Sequence, residues 1–390
     1  VFGLLGSGNL GNDGSLQAVL DYLRATHPDA AIDALCGGPE RVTARFGIPA
    51  TRLHWYRAEY QTASGVAGIG LKLLGKLVDV VRTAVWVHRH DVVIVPGMGV
   101  LEATLPLRPW GFPYSLFLLC AAGRLLDTRV ALVSVGADAI GHRATRALVR
   151  WSARLAAYRS YRDRLSRDAM RAMGVDTGRD EVYPDLAFAL PTPSPAAEPG
   201  TVGVGVMAFR GGNDDRAWAD QIYRRYLDGM TRFVRWLVDG GRSVRLFTGD
   251  EVDAPVVAHI LAEVDSPRVS AAPVSSLDDL MREMAAVDAV VATRYHNVLC
   301  ALKVGRPTLS VGYAAKSDVL MREMGLGEFR HPARAVDADR LIEQFTALEQ
   351  RSAELRQTLA ERNLTAARRI ERQFTALSAA VFPAVSQETR

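Results

Sequence analysis

Short runs rich in β-branched residues alternate with stretches of helical periodicity, once over residues 1–190 and again over 202–336. Expected strands at 2–5, 32–35, 92–95, 130–135 and 157–161 are separated by helical patterns such as 16–24, 71–87 and 146–155. Strands alternating with helices of this length build parallel, doubly wound sheets. The stretch "LPTPSPAAEPGT" is dense in proline and small residues, which places a linker at 191–201. Beyond it "TVGVGVMAF" reads as a buried strand, 218–238 as a helix, and 244–248, 289–292 and 308–311 as strands. A charged helical tail fills 337–390. The expected fold is therefore α/β: two Rossmann-like doubly wound domains, 1–190 and 202–336, facing a cleft in a GT-B-like arrangement. In such sheets ligands sit at the carboxyl ends of the strands.

Composition narrows the functional classes. A chain of 390 residues is too long for one ordinary core. No apolar run reaches the ~18–20 residues of a membrane span, and the first residues lack a basic-then-apolar leader. The three cysteines, Cys36, Cys120 and Cys300, are far apart, which opposes a disulfide framework or a zinc site and favours a reducing, cytoplasmic setting. The formal charge is +4, with basic residues spread along the chain rather than gathered as a nucleic-acid binder gathers them. Only Lys72, Lys76, Lys303 and Lys316 are lysines. A surplus of arginine suits anionic ligands, whose oxygens match the guanidinium fork, although a GC-rich coding sequence produces the same bias.

Two motifs mislead. "GSGNLGNDGS" at 6–15 contains Gly-x-Gly-x-x-Gly, but a dinucleotide site starts its helix inside the glycines and ends its second strand in an acid. Here Asn12, Asp13 and Gly14 lengthen the expected turn, the helix is expected from Ser15, and "AAIDALCGG" ends without an acid. Asn9 and Asp13 are candidates for a sugar or phosphate contact. "GLKLLGK" at 70–76 resembles a P-loop but has Leu77 where a metal-holding hydroxyl belongs. The helix over 69–88 sets Lys72, Lys76, Asp79 and Thr83 on one face above Leu73, Leu74, Leu77, Val81 and Val85. Such a basic amphipathic helix either packs its leucines on a sheet, the commoner arrangement, or lies on the inner face of a membrane as a peripheral contact.

The segment richest in chemistry is "DAVVATRYHNVLCALKVGRPTLSVGYAAKSD", 288–318. A buried strand stops, and Thr293, Arg294, Tyr295 and His296 stand at its carboxyl end, where a helix begins and directs its N–H groups and positive dipole end. The next strand delivers Tyr313 and then Lys316 at another helix start. One arginine, one histidine and one lysine at such a position form an anion site with a titratable group in it. No acid lies between Asp288 and Asp318 to hold a nucleotide ribose.

With these motifs in order, the chain resembles the polysaccharide pyruvyl transferase family along nearly its whole length. Gly6, Asn9, Gly11 and Asp13 match a first Gly-x-x-Asn-x-Gly-Asp loop with Asn12 inserted; "VVIVPGMGVLE" matches a strand followed by glycines; Arg162, Asp163 and Ser166 match Arg-Asp-x-x-Ser. Arg294 and His296 match Arg-x-His, and Tyr313 and Lys316 match Tyr-x-x-Lys. The resemblance implies transfer of pyruvyl from phosphoenolpyruvate onto a sugar or glycan as a ketal, with no cofactor or metal. His296 is the expected general acid; Arg294, Lys316, Arg162 and Arg210 are expected to hold the donor, and Asn9 and Asp13 to face the acceptor from the first domain. A nucleotide-sugar glycosyltransferase on the same fold is the first alternative. A glycan- or anion-binding protein without turnover is the second. The acceptor, a lipid-linked unit among the possibilities, is not identified by the residues.

Overall fold

A computed structural model describes residues 1–56, 65–102, 110–196 and 198–382. It divides into two compact units: residues 1–7, 15–186 and 369–390 in the first, and 8–14 and 187–368 in the second.

The first unit carries β1 (Phe2–Gly3), β2 (Ala34–Cys36), β3 (Ala50–Arg52), β4 (Val92–Val95), β5 (Arg129–Val135), β6 (Tyr158–Tyr161) and β7 (Glu181–Val182). They run β1-β2-β3 and β4-β5-β6-β7, every pair parallel, with β1 packed beside β4. Helices α1 (Leu10–Thr26), α2 (Pro39–Phe46), α3 (Gly65–His88), α4 (Phe112–Leu125), α5 (Arg143–Leu155) and α6 (Arg164–Ala172) connect the strands. β5 is buried from Val130 to Val135, as expected of a parallel strand covered on both faces.

The second unit holds one six-stranded parallel sheet: β8 (Thr201–Gly205), β9 (Ser243–Phe247), β10 (Val269–Ala271), β11 (Ala289–Ala292), β12 (Thr308–Gly312) and β13 (Arg330–Pro332). Its order, β10-β9-β8-β11-β12-β13, is the doubly wound 3-2-1-4-5-6 pattern, whose direction reverses between β8 and β11. Helices α7 (Ala219–Asp239), α8 (Ala254–Val264), α9 (Leu277–Ala286), α10 (Tyr295–Lys303), α11 (Ala315–Glu323) and α12 (Ala338–Gln350) complete it. The long α13 (Ser352–Val381) is divided between the units.

Three expectations change. The tail is not a separate body. Phe345 of α12 packs edge-on against Phe233 of α7 at 5.4 Å, while Gln373 of α13 reaches into the first unit, donating to Ser134 Oγ (2.6 Å) and Ser160 Oγ (3.1 Å). Residues 383–390 lie outside the described residues.

Helix α1 starts at Leu10, inside the glycine motif, rather than at Ser15. Asn9 is the reason: its Oδ1 accepts from the backbone N–H groups of Gly11 (3.1 Å) and Asn12 (3.2 Å), a side-chain cap that outweighs the low helix propensity of Gly11 and Gly14.

Helix α3 is turned over. Asp79 and Thr83 are buried, and the leucines face outward. Asp79 Oδ1 accepts from the Trp55 N–H (2.8 Å) and lies 3.4 Å from Arg82 Nη1, while Oδ2 is 3.3 Å from His54 Nδ1. A buried carboxylate needs such partners, and the 53–56 segment supplies them along the polar face.

Candidate active site

Of the residues singled out, Arg294, His296, Tyr313 and Lys316 lie beyond the carboxyl ends of β11 and β12. The Thr293 N–H continues β11 by donating to Gly205 O (2.9 Å), and its Oγ1 shares a 2.7 Å hydrogen bond with the Tyr226 hydroxyl. The same hydroxyl accepts from the Met207 N–H at 3.1 Å. Burial holds the Tyr226 phenol well above its ordinary range, so it acts as a neutral tie between the segments leaving β8 and β11.

Arg294 ends the strand and is bound in bidentate fashion. Its Nε and Nη2 donate to Asp253 Oδ2 and Oδ1, both at 2.8 Å. Asp253 is fully buried and also accepts from the Ala208 N–H at 2.9 Å. Burial opposes the charge on Arg294, but the Asp253 bond and charge, helped by Tyr313 and Asp250, hold the guanidinium above its ordinary value. The fork expected to face an anionic donor is thus half-used by a carboxylate, and the edge is less cationic than sequence suggested.

His296 is half-buried in the first turn of α10. Its ring lies against Gly11: a Cβ there would come within 2.0 Å of His296 Cε1. Tyr295 meets His296 edge-on at 5.2 Å, and Lys316 Nζ sits 5.8 Å from the Tyr295 ring. Tyr313 packs on Phe209, the residue before Arg210, at 5.9 Å. Helices α10 and α11 are neighbours, and neither has a side-chain cap at its N-terminus. Two uncapped helix starts present N–H donors and positive dipole ends beside Lys316 and His296, which suits an anionic ligand.

The remaining candidates are placed differently. Asn9 and Asp13 belong to the second unit, together with His296, rather than to the first. Asn9 caps α1 and forms a bridge with Asp250, and Asp13 is 7% exposed. Arg210 is exposed, paired with Asp220 and stacked 4.4 Å over Tyr223. Arg162 leaves β6 in the first unit with its side chain only 3% exposed. It donates to Glu102 and lies 3.8 Å from Asp163 Oδ2 and 3.7 Å from Asp185 Oδ2. Asp163 caps α6 through the Ser166 N–H (2.7 Å), and Ser166 Oγ accepts from the Ala137 N–H (3.0 Å). The Arg-Asp-x-x-Ser element therefore ties the loops after β5 and β6 together. Three carboxylates enclose Arg162, which corrects its expected place at the donor.

The sequence profile of the polysaccharide pyruvyl transferase family matches residues 9–314. The chain belongs to that family. No curated protein matches it in sequence. Among solved structures it is similar to the UDP-GlcNAc 2-epimerase from Neisseria meningitidis bound to UDP-GlcNAc, at 12% identity and a TM-score of 0.60, covering 96% of this chain and 99% of that one. A putative UDP-N-acetylglucosamine 2-epimerase from Listeria monocytogenes gives 12% identity and 0.60, covering 97% and 96%. Anabaena HepE in complex with UDP-glucose gives 14% identity and 0.56, covering 97% and 99%. These likenesses establish a GT-B-like fold.

Within the family-matched region, Asp253 and Gly11 are the residues that sequence reasoning missed as parts of the site. "LFTGD" at 246–250 is a strand end followed by Gly-Asp, the same topological signal that singled out Arg294. Applied to β9, it leads to Asp250 and on to Asp253. Gly11 was named only as part of the family's first loop; its contact with the His296 ring supplies the physical reason for a glycine there. Among the described residues no group of His, Cys, Asp and Glu is arranged to hold a metal ion, and no helix is long and apolar enough to cross a membrane.

Proposed function

We propose that the chain transfers the pyruvyl group of phosphoenolpyruvate to two hydroxyls of a sugar or glycan, forming a ketal and releasing phosphate. Family membership supports this reading, and the observation that carries it in the structure is His296 beside two uncapped helix starts and Lys316. Phosphoenolpyruvate bears a carboxylate and a phosphate, and two helix starts offer a place for each. Lys316 adds a cation, and the edge of Arg294 not used by Asp253 offers further donors.

His296 gives its proton to the methylene carbon, and the C2 centre becomes oxocarbenium-like. The first sugar hydroxyl adds to C2, and its proton restores His296. The second hydroxyl then displaces phosphate: a C2–O bond to the sugar forms, the C2–O bond to phosphorus breaks, and the hydroxyl proton leaves with phosphate. Asp253 and Gly11 act as positioning residues, the first fixing Arg294 and the second admitting the ring of His296. No redox cofactor or metal takes part in this scheme.

The nucleotide-sugar alternative gains Asp250 and Asp253, which sequence had not placed at this edge. Both are engaged: Asp253 by Arg294, and Asp250 as a cap accepting from the Val252 N–H (3.3 Å). The test measures phosphate released from phosphoenolpyruvate with a panel of sugar acceptors, run in D₂O. Phosphate release with deuterium in the new methyl group is expected. Turnover of a UDP-sugar instead, or donor binding without phosphate release, overturns the proposal.

A further inference from the structure

Asn297, the third residue of α10, is fully buried, and neither Nδ2 nor Oδ1 of its amide has a hydrogen-bond partner among the described residues. Asparagine is seldom fully buried, and a buried amide left unpaired costs stability rather than adding to it. The chain nevertheless makes room for this one. Gly205 ends β8 and Gly249 lies just beyond β9; a Cβ on the first would come to 2.7 Å from Nδ2, and on the second to 2.7 Å from Oδ1. β8 borders the reversal of the second sheet, and doubly wound sheets hold ligands in the crevice outside the strand ends at a reversal. A side chain that weakens the free protein, seated there in the uncapped first turn of α10, points to a bound group as its partner.

We propose that Asn297 is a further substrate-binding residue, whose amide takes up the phosphate of the donor; the inference rests on the reaction proposed above. Chemistry selects the group. An amide presents donors on one side and an acceptor on the other, so its complement carries both. The carboxylate of the donor only accepts. Phosphate that leaves with the proton of the second hydroxyl carries one P–O–H and three further oxygens, so it donates to Oδ1 while accepting from Nδ2. A sugar hydroxyl offers the same pair, but the start of α10 adds backbone N–H groups and a positive dipole end beside this side chain, which favours an anion. Oδ1 gains its partner only as the C2–O bond to phosphorus breaks, so the residue favours the departing group over the intact ester.

Titration of the full chain with inorganic phosphate, by calorimetry and by melting temperature, tests it in the wild type, Asn297→Leu and Asn297→Asp. Leucine removes both sides of the amide at similar volume; aspartate keeps the shape and leaves only acceptors. Without ligand, Asn297→Leu should melt above the wild type, because the unpaired amide is gone. Its affinity for phosphate should fall at least about tenfold, the weight of a hydrogen bond to a charged group. Asn297→Asp should lose at least as much, since it adds repulsion. Wild-type phosphate affinity in either variant overturns the proposal, as does a wild type that binds no phosphate. Asn297→Leu melting below the wild type would make the amide a packing residue and also overturn it. Unchanged phosphate affinity with a raised KM for the sugar acceptor would assign the amide to a sugar hydroxyl instead. The two readings fail separately: the reaction fails if phosphoenolpyruvate yields no phosphate, whereas this site is judged on phosphate affinity and melting, whatever the turnover.

Discussion

Arg162 and Arg294 occupy equivalent places in the two units: each is the first or second residue beyond a parallel strand, β6 or β11, where such sheets keep their ligands. They differ in what surrounds the guanidinium. Arg162 is enclosed by Glu102, Asp163 and Asp185, with its side chain 3% exposed. Among the described residues Arg294 is paired with Asp253, and its side chain is 18% exposed beside the uncapped start of α10. An arginine at a strand end is thus an internal tie when its carboxylates enclose it, and remains open to a ligand when one edge is left. Lys303, buried near Phe188, extends the series to a cation that donates to a carbonyl, Phe188 O at 3.0 Å.

The largest effect should come from the reactive side of this contrast. His296→Ala is expected to bind phosphoenolpyruvate but to lose roughly 10²–10⁴ in kcat, and His296→Gln to be nearly as slow, measured by phosphate release. A wild-type rate in either variant would remove the general acid from the second unit.

Arg162→Leu should leave three buried carboxylates without their cation and cost about 3–5 kcal/mol in chemical denaturation. If the variant instead keeps wild-type stability and loses donor binding, the two arginines are alike and the contrast fails.

Gly11→Ala tests how tightly the second unit positions its histidine. The new methyl would meet the His296 ring, so kcat should fall by roughly 10², the scale of an ångström-level displacement of a reacting group, while Arg294 keeps its Asp253 bond. Unchanged kcat would show that the ring is free to move aside.

A smaller loss is expected at Arg294. Lysine keeps the charge but not the fork, so Arg294→Lys should weaken phosphoenolpyruvate binding about tenfold by calorimetry, roughly 1.4 kcal/mol. Wild-type affinity would place Arg294 with Arg162 as an internal tie.

The smallest effect belongs to Lys303, whose ammonium burial lowers to about 8 from 10.5. Between these values the unfolded chain binds more protons than the folded one, so stability should rise with pH across that window. The melting temperature of the wild type should climb there, and that of Lys303→Met should not share the rise. Parallel profiles would mean that Lys303 carries its charge as easily as the enclosed arginines.

Much of the second sheet was legible because parallel strands buried on both faces are nearly continuous apolar runs: 289–292 matches β11 fully, and 308–311 covers all but the last residue of β12. The short edge strands β3, β7 and β13 were not singled out, since two or three residues carry too little periodicity. The start of α1 was missed because its glycines lower helix propensity, whereas the Asn9 cap depends on geometry. At the site, the position of Arg294, His296 and Lys316 followed from strand ends and helix starts. Asp253 did not, because it lies far from them in sequence and meets Arg294 only when β9 and β11 share a sheet.

By itself the sequence determined the alternation of strand and helix, hence parallel sheets, and the family to which the motifs belong. Those properties are local: periodicity, turn residues and short spacings are written within a few tens of residues. Tertiary structure alone decided which charges meet and which helix face is turned outward. Arg162 became an enclosed tie, Arg294 kept an open edge, and α3 turned its leucines to solvent, because buried charge must find partners and those partners come from distant segments.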